Sequence, residues 1–246
     1  MRRIITAVLL GSLCFGVAQA QSNINGGDAK QVGDTIVTHL GDHTLYIPKG
    51  YVSSIMGFAG TVEIHALLPC LLPETPESVA EFRAPLEGKG FGRILTADLT
   101  AYSDMPHRVG QALLDERIKL SAFAKSGQEY SKFNATYDPK HRDPSIGPYP
   151  VPNSKFVVYD DALLGRDIFV LPGSDPLLVL DCTRWDKFVV SPECVSVERA
   201  PGDLHVKYNY SRSFVENDES AAIDTRLQHL LASFLTPTST TKQACE

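Results

Sequence analysis

The sequence predicts an α+β fold in which an antiparallel sheet packs against two main helices and is stabilised by disulfides. Three observations support this fold class. Five strand-like segments with short links fill the C-terminal part of the chain, and short links favour antiparallel neighbours. Two stretches have apolar residues at helical spacing. Four cysteines follow the first twenty residues, and an even number favours disulfides in an exported protein.

The first segment, residues 1–20, has the three parts of a secretory signal peptide. A short basic start precedes an apolar run, Ile4–Val17, and the small residues of Ala18-Gln19-Ala20 fit a signal peptidase site. The apolar run is shorter than the roughly 20 residues of a membrane-spanning helix. We therefore expect cleavage before Gln21 and export of a soluble mature protein to the bacterial periplasm, with an extracellular location as the alternative.

The charge of the chain disfavours some classes of partner. The formal net charge is −6, and removal of the two arginines of the signal peptide leaves 21 Lys and Arg against 29 Asp and Glu, or −8. An acidic surface disfavours binding to nucleic acid and to anionic lipid. It is compatible with another protein as partner, in particular a basic one. No later apolar run is long enough for a transmembrane segment.

The four cysteines of the mature chain allow three disulfide connectivities. We favour Cys182–Cys194, because it closes a short loop between an apolar segment and an alternating one. A disulfide at the mouth of such a hairpin loop is easy to close. Such a crosslink contributes about 3 kcal/mol in the chain-entropy picture. Cys70–Cys245 then follows by elimination and would attach the polar tail, 237–246, to the body. Metal binding by cysteine is disfavoured because the chain has no C-x-x-C motif.

Residues 21–138 are predicted to form an N-terminal α+β portion. Thr75-Pro76-Glu77 has the residue types of a helix N-terminus and predicts a short helix through Phe82. Gly41-Asp42 separates the first two predicted strands and indicates a hairpin. The predicted strands of this portion are Thr35–His39, Thr44–Ile47, Thr61–Leu67, Arg93–Tyr102 and Ser131–Tyr137.

A long helix is predicted from His107 to Phe123. Glu116 falls on its apolar stripe by the 100° step of an α-helix. This position makes Glu116 a candidate buried carboxylate with a raised pKa, as a catalytic acid would have. The alternative is that Glu116 pairs with a basic side chain or lies at the edge of the stripe. The stripe consists of Val109, Ala112, Leu113, Leu120 and Phe123, and Leu114 and Ile118 lie on a second apolar face of the same helix.

Residues 139–153 form a proline-rich connection between two portions of the chain. Its prolines have fixed φ angles, so we expect a stiff, extended loop rather than a floppy linker. The sequence leaves open whether the two portions are separate units or one domain over 34–236.

Residues 154–236 are predicted to form a five-stranded antiparallel meander and a closing helix. The strands are Lys155–Asp160, Asp167–Leu171, Leu177–Thr183, Cys194–Arg199 and Leu204–Arg212. The helix begins near Asp218 and should lie across the sheet. Its apolar stripe is Ile223, Leu227, Leu230, Leu231 and Phe234.

The sequence predicts no catalytic, cofactor or metal site. It lacks the G-x-S-x-G motif of serine hydrolases, the H-E-x-x-H motif and an EF-hand loop. His39 and His43 are four residues apart, but across a turn, where a turn or surface role is the simpler one. The Gly88–Gly92 segment precedes a strand and lacks the spacing of a phosphate-binding loop.

Three residues are candidate contacts for a protein partner. Trp185, the only tryptophan, lies beside Arg184 inside the Cys182–Cys194 loop. Tryptophan and arginine are enriched at binding hot spots, and a disulfide orders a loop before binding. The alternative is that Trp185 folds back on the sheet as a cap. Tyr149, which is flanked by two prolines, is a weaker candidate.

These observations favour an exported, non-catalytic protein-binding module, for example an immunity protein that blocks an exported toxin. Two alternatives stay open. The first is a secreted hydrolase with a dispersed active site, which would bring Glu116 together with a histidine or aspartate in a pocket. The second is a structural subunit of an envelope assembly, which would show a flat apolar patch or an unpaired edge strand.

Overall fold

The structure of this protein is a computed structural model, which describes part of the chain. The predicted signal peptide, the Gly88–Gly92 segment and Cys245 lie outside the described residues, as do residues 80–82 at the end of the short helix predicted through Phe82. The described residues are 23–24, 29–56, 60–79, 93–101, 109–140, 144–161, 165–174, 177–185, 189 and 192–237.

The described residues form strands, helices and short 3-10 turns. The strands are β1 (Asn23–Ile24), β2 (Lys30–Val32), β3 (Thr35–Leu40), β4 (His43–Pro48), β5 (Val52–Met56), β6 (Thr61–Leu67), β7 (Ile94–Ala101), β8 (Tyr149–Pro150), β9 (Val157–Asp161), β10 (Arg166–Leu171), β11 (Leu178–Thr183), β12 (Glu193–Ala200) and β13 (Leu204–Ser211). The helices are α1 (Gln111–Ser126), α2 (Tyr130–Thr136), α3 (Ser213–Glu216) and α4 (Ser220–Ser233), with 3-10 turns at Lys49–Tyr51 and Pro144–Ile146. None of these helices is long and apolar enough to cross a membrane.

Ten of the strands form one sheet in the order β1-β5-β6-β7-β13-β12-β11-β10-β9-β8. Strands β9 to β13 are consecutive antiparallel neighbours, which confirms the predicted meander. Because β13 also pairs with β7, strands from both sides of the proline-rich connection belong to the same sheet. That connection supplies β8, which pairs with β9 at the edge. The predicted hairpin, β3 and β4, forms a second sheet with β2.

Helix α4 covers one face of the long sheet, as its apolar stripe predicts. Ile223, Leu227 and Leu230 are buried in the main core together with Leu95 of β7 and Val206 of β13. The small sheet also contributes to this core, and its strand β4 is hydrogen-bonded to the residue that follows α4. The main core therefore contains side chains of helix α4 together with side chains of β3 and β4.

Helix α1 covers the opposite face of the sheet at β9, β10 and β11. Leu113, Leu114 and Ile118 pack there against Ile168 and Val179 in a smaller core. Strands β10 and β11 are therefore buried on both faces, which explains why they are continuous apolar runs rather than alternating ones.

The strand predicted over Ser131–Tyr137 is wrong, because these residues belong to helix α2 and the turn after it. The ring of Phe123 packs on Tyr130 and Phe133, with ring centroids 5.1 and 5.5 Å apart. The two contacting rings are three residues apart, which is a helical spacing and not that of a strand. A tertiary contact with α1 therefore overrides the β-like composition of this segment.

Helix α1 also differs from its prediction. It begins at Gln111, so the predicted start at His107 is too early, and that residue lies outside the described ones. Its buried side chains are Leu113, Leu114, Ile118 and Ser121, whereas Ala112 is exposed and Leu120 is half-buried. The helix packs by its second apolar face, because that face meets β9 to β11.

The Cys182–Cys194 disulfide is present, as predicted. The two cysteines are directly opposite each other on β11 and β12, with Cα atoms 4.0 Å apart, and both are fully buried. Cys70 is also disulfide-bonded. Its proposed partner Cys245 lies outside the described residues, so that pairing stays a prediction.

Candidate protein-binding surface

A network of ion pairs lies at one end of strands β9, β10 and β11. Asp160 and Asp167 are opposite each other on β9 and β10, and Asp167 is opposite Cys182 on β11. Cross-strand partners point to the same face of a sheet. Arg184, two residues beyond Cys182, bridges the two carboxylates: its Nε lies 2.7 Å from Asp167, and a terminal nitrogen contacts Asp160.

Arg212, the residue before helix α3, extends this network. One terminal nitrogen lies 2.7 Å from Asp167 and donates to the carbonyl oxygen of Thr183 over 3.0 Å. Its Nε donates to Glu216 Oε1 over 2.9 Å. The guanidinium carbon lies 5.2 Å from the centroid of the Phe169 ring. The side chain is only 11 % exposed, so these contacts hold it in one geometry.

Trp185 lies at the exposed end of the network. Its side chain is 46 % exposed, and its indole Nε1 donates to Glu216 Oε1 over 3.1 Å. This arrangement fits an ordered, exposed anchor better than a cap buried on the sheet, and its role in binding stays a prediction. We call the group the Trp185 surface; it consists of Trp185, Arg184, Arg212, Asp160, Asp167 and Glu216.

The Trp185 surface has a small excess of negative charge. Its three carboxylates face two guanidinium groups, which leaves one negative charge. The carboxylates of Asp160 and Glu216 are 36 % and 43 % exposed, whereas Asp167 is 17 % exposed. The excess charge is therefore presented on the solvent side of the network.

Tyr149 lies apart from this network. It belongs to the edge strand β8, is 42 % exposed, and donates from its hydroxyl to the carbonyl oxygen of Pro144 over 3.3 Å. It is paired with Val158 on β9, the strand that carries Asp160. Of the three predicted contacts, Trp185 and Arg184 belong to the network at the end of β9 to β11, and Tyr149 lies apart from it on the edge strand β8.

The prediction that Glu116 is a buried carboxylate is wrong. Glu116 is exposed on helix α1, because the helix packs by the face of Leu113, Leu114 and Ile118. The carboxylate that this region buries is Asp181 of β11, which lies 2.7 Å from the guanidinium of Arg117 on α1.

The protein has a second buried carboxyl group, Glu198 on β12, which is 2 % exposed. Its Oε1 lies 2.8 Å from Ser196 Oγ and 2.9 Å from Tyr208 Oη. Its Oε2 accepts a hydrogen bond from Gln228 Nε2 over 3.2 Å. The Tyr208 hydroxyl also lies 3.0 Å from Asp224 Oδ1. These five residues, the Glu198 cluster, join β12 and β13 to helix α4.

The Glu198 cluster is a clamp between the sheet and helix α4. Burial, followed by the charge of Asp224 and a hydrogen bond to it, raises the pKa of Glu198 to about 8. Glu198 therefore keeps its proton at neutral pH. A cleft of about 250 Å³ beside the cluster is lined by Asp224, Gln228 and His229, but Glu198 does not reach it. A substrate in this cleft would not contact the carboxyl group with the raised pKa.

No group of three or more His, Cys, Asp or Glu side chains within the described residues is arranged to hold a metal ion. His39 and His43, the two histidines considered from the sequence as metal ligands, lie at the hairpin turn. There His39 Nδ1 is 3.2 Å from Thr44 Oγ1.

One solved structure has a similar fold. It is an immunity protein of the Stenotrophomonas maltophilia type IV secretion system, and it matches with a TM-score of 0.53 at 16 % sequence identity. The match covers 85 % of this chain and 99 % of that chain. No protein-family model and no curated protein matches the sequence. At this identity the likeness shows a shared fold, which is the α+β architecture predicted from the sequence.

Sequence reasoning missed most of the partners of Trp185 and Arg184, although some of them had a local sequence signal. Arg212 and Glu216 are four residues apart, the spacing of an ion pair on one helix face. Glu198 is in phase with Cys194 on an alternating strand, so the inward position of Cys194 implies the same for Glu198. No such local pattern connects Asp160 to Arg184, because the pairing of β9, β10 and β11 brings them together.

Proposed function

We propose that this protein is an exported immunity protein that binds and blocks a toxin delivered by a bacterial secretion system. The observation that carries the proposal is the fold likeness, which extends over 99 % of the length of an immunity protein of a type IV secretion system. The Cys182–Cys194 disulfide supports an oxidising compartment such as the periplasm. The proposed mode of action is binding and not catalysis.

The Trp185 surface is the proposed contact with the toxin. Energetic hot spots in interfaces are enriched in tryptophan and arginine. Here Trp185 is about half-exposed, and the contacts of Arg212 and Glu216 fix its position. An ordered anchor loses little conformational entropy on binding, which favours affinity. We propose a basic protein as partner, because the mature chain has a net charge of −8 and this surface has a negative excess.

Export is part of the same proposal. Residues 1–20 would direct the chain to the periplasm and be removed before Gln21. An immunity protein must be in the compartment where the toxin acts, so protection should depend on this segment.

A protection assay in a laboratory host tests the proposal. Each secreted toxin gene of the source bacterium is expressed with a periplasmic signal, together with the full chain or with a matched chain that lacks residues 1–20. We expect one toxin whose growth arrest is relieved by the full chain and not by the matched control. The proposal is wrong if no toxin is neutralised, and the periplasmic location is wrong if both forms protect equally.

The Trp185→Ala variant tests the proposed contact. Binding to the neutralised toxin should weaken by at least about 1 kcal/mol, the usual threshold for a hot spot, or about fivefold in Kd. The melting temperature should stay nearly unchanged, because an exposed side chain contributes little to the core. Tyr130→Ala, at a tyrosine of similar exposure on α2, is the matched control for binding only, because Tyr130 packs on Phe123 and its removal also affects stability.

The opposite result for Trp185→Ala would identify a different role. Loss of stability with unchanged binding would mean that the indole acts as a cap on the sheet. The contact would then have to be sought around Tyr149 on the edge strand β8. The hydrolase alternative has lost the observation that motivated it, because Glu116 is exposed.

A further inference from the structure

We infer that the Trp185 surface receives an arginine or lysine side chain of its partner, with the cation over the indole and its N–H groups on Glu216. This inference rests on the proposed function, since it specifies the chemistry by which that partner is recognised. It follows from three features of the described residues.

The first feature is an unused acceptor on Glu216. Both hydrogen bonds that this carboxylate accepts, from Trp185 and from Arg212, end on Oε1. Within the described part of the chain, Oε2 faces no donor, and the side chain is 43 % exposed. A carboxylate oxygen in this position favours a charged donor, because hydrogen bonds between two charged groups are about twice as strong as neutral ones.

The second feature is the way Trp185 is presented. Its only polar group, the indole N–H, already donates to Glu216, so what it offers a partner is the ring. An aromatic face attracts a Lys or Arg cation within about 6 Å of its centroid, and tryptophan does so most strongly. Trp185 and the exposed carboxylate of Glu216 are adjacent, so one basic side chain can contact both.

The third feature is the rigid support beneath the two groups. Arg212 is held by Asp167, by the carbonyl of Thr183 and by the Phe169 ring. These contacts keep the Arg212 guanidinium from moving to a position where it would also contact Oε2 of Glu216. Its own charge is shared with Asp167, and the surface keeps one negative charge. A basic side chain would balance that charge without displacing a resident group.

Intrinsic fluorescence gives a direct test, because Trp185 is the only tryptophan of the chain. The full-length mature protein is titrated with hexa-arginine amide at low salt, with hexa-glutamine amide as the uncharged control peptide. We expect a saturable change in Trp185 emission with the first peptide and none with the second. The absence of a saturable change with hexa-arginine overturns the inference.

Two charge variants separate this site from general attraction to an acidic protein. Glu216→Gln removes the proposed acceptor, and Glu129→Gln removes the same charge from α2, where Glu129 is 74 % exposed. We expect Glu216→Gln to weaken hexa-arginine binding about tenfold and Glu129→Gln to weaken it less than twofold. Equal weakening by both variants would mean unspecific attraction and would overturn the inference.

A third variant tests the ring itself. Trp185→Leu keeps an apolar side chain but removes the aromatic face, and calorimetry replaces fluorescence as the readout. We expect at least a threefold loss of affinity for hexa-arginine, and an unchanged affinity would overturn the role of the ring. Because these titrations need no toxin, their failure leaves the protection assay to decide the proposed function by itself.

Discussion

Replacement of Glu198 by Gln should change how the stability of the protein depends on pH. Burial against helix α4, with Asp224 beside it, raises the pKa of Glu198 to about 8, against an ordinary value of 4.5. Between these two values the folded protein keeps a proton that the unfolded chain has lost, so stability falls as pH rises. The slope is about 1.4 kcal/mol per pH unit. Over the 3.5 units from 4.5 to 8, the loss approaches about 5 kcal/mol.

A glutamine at this position removes that slope because it does not titrate. Its amide oxygen can still accept from Ser196 and Tyr208, and its NH2 group takes the place of Oε2, where it donates to the Gln228 side chain once that amide is rotated, so the contacts between sheet and helix are kept. Relative to the unaltered protein, the variant should therefore gain stability with each pH unit above 4.5 and gain no more above about 8.

Urea denaturation at a series of pH values between about 5 and 9 measures this difference. Glu193→Gln is the matched control, since Glu193 is on the same strand but points to the other face and its carboxylate accepts from Asn209. Its stability curve should run parallel to that of the unaltered protein. If the Glu198→Gln curve is also parallel, then Glu198 is ionised in the folded protein, and the interpretation of the Glu198 cluster as a protonated clamp is wrong.

Three further predictions follow from the disulfide, the buried ion pair and the signal peptide. Replacement of Cys182 and Cys194 by Ala should lower the free energy of unfolding by about 3 kcal/mol, since the disulfide closes a loop with a sequence separation of 12; equal urea midpoints would contradict this. Asp181→Ala should cost about 3 kcal/mol, because it leaves both Arg117 and Arg166 partly buried without their shared carboxylate, and an unchanged midpoint would mean that these ion pairs contribute nothing. The intact mass of protein from the periplasm should start at Gln21, and a retained first residue would refute cleavage.

The C-terminal half of the fold could be predicted because its turns are short. Links such as Pro201-Gly202-Asp203 are so short that the strands they join pair as antiparallel neighbours, as β12 and β13 do. The disulfide followed from the same reasoning, since a hairpin loop brings its two ends together. The partners in these strand pairs and in this disulfide are close in the sequence, and here the sequence pattern and the structure agree.

Helices α1 and α2 show where such reasoning fails. Residues Gln111–Ser126 have two apolar faces, and the sequence does not tell which one will meet a sheet. The face was decided by β9 to β11, more than thirty residues later in the chain, and this choice turned Glu116 outward. The segment Tyr130–Thr136 became helical because its aromatic rings pack on Phe123, a contact that composition alone does not contain.

The Trp185 surface contains some residues that could be predicted from the sequence and some that could not. Trp185 and Arg184 could be singled out from the sequence as neighbours in a disulfide loop. Asp160, Asp167 and Arg212 could not, because they come together only through the register of β9, β10 and β11 and the return of the chain after β13. The sequence therefore singles out the exposed Trp185 but not the network that holds it.

The low identity to the solved structure of similar fold bears on where the proposed recognition would lie. An α+β architecture requires alternating strands, short turns and apolar helix faces, and many sequences meet these conditions. At 16 % identity the shared fold can persist while surface side chains differ. Under the proposed function, Trp185 and Glu216 would supply the contact with the partner, and Arg212 would hold them in place. Recognition would then depend on a few charged and aromatic side chains at one end of the sheet, which can change without any change in the core beneath them.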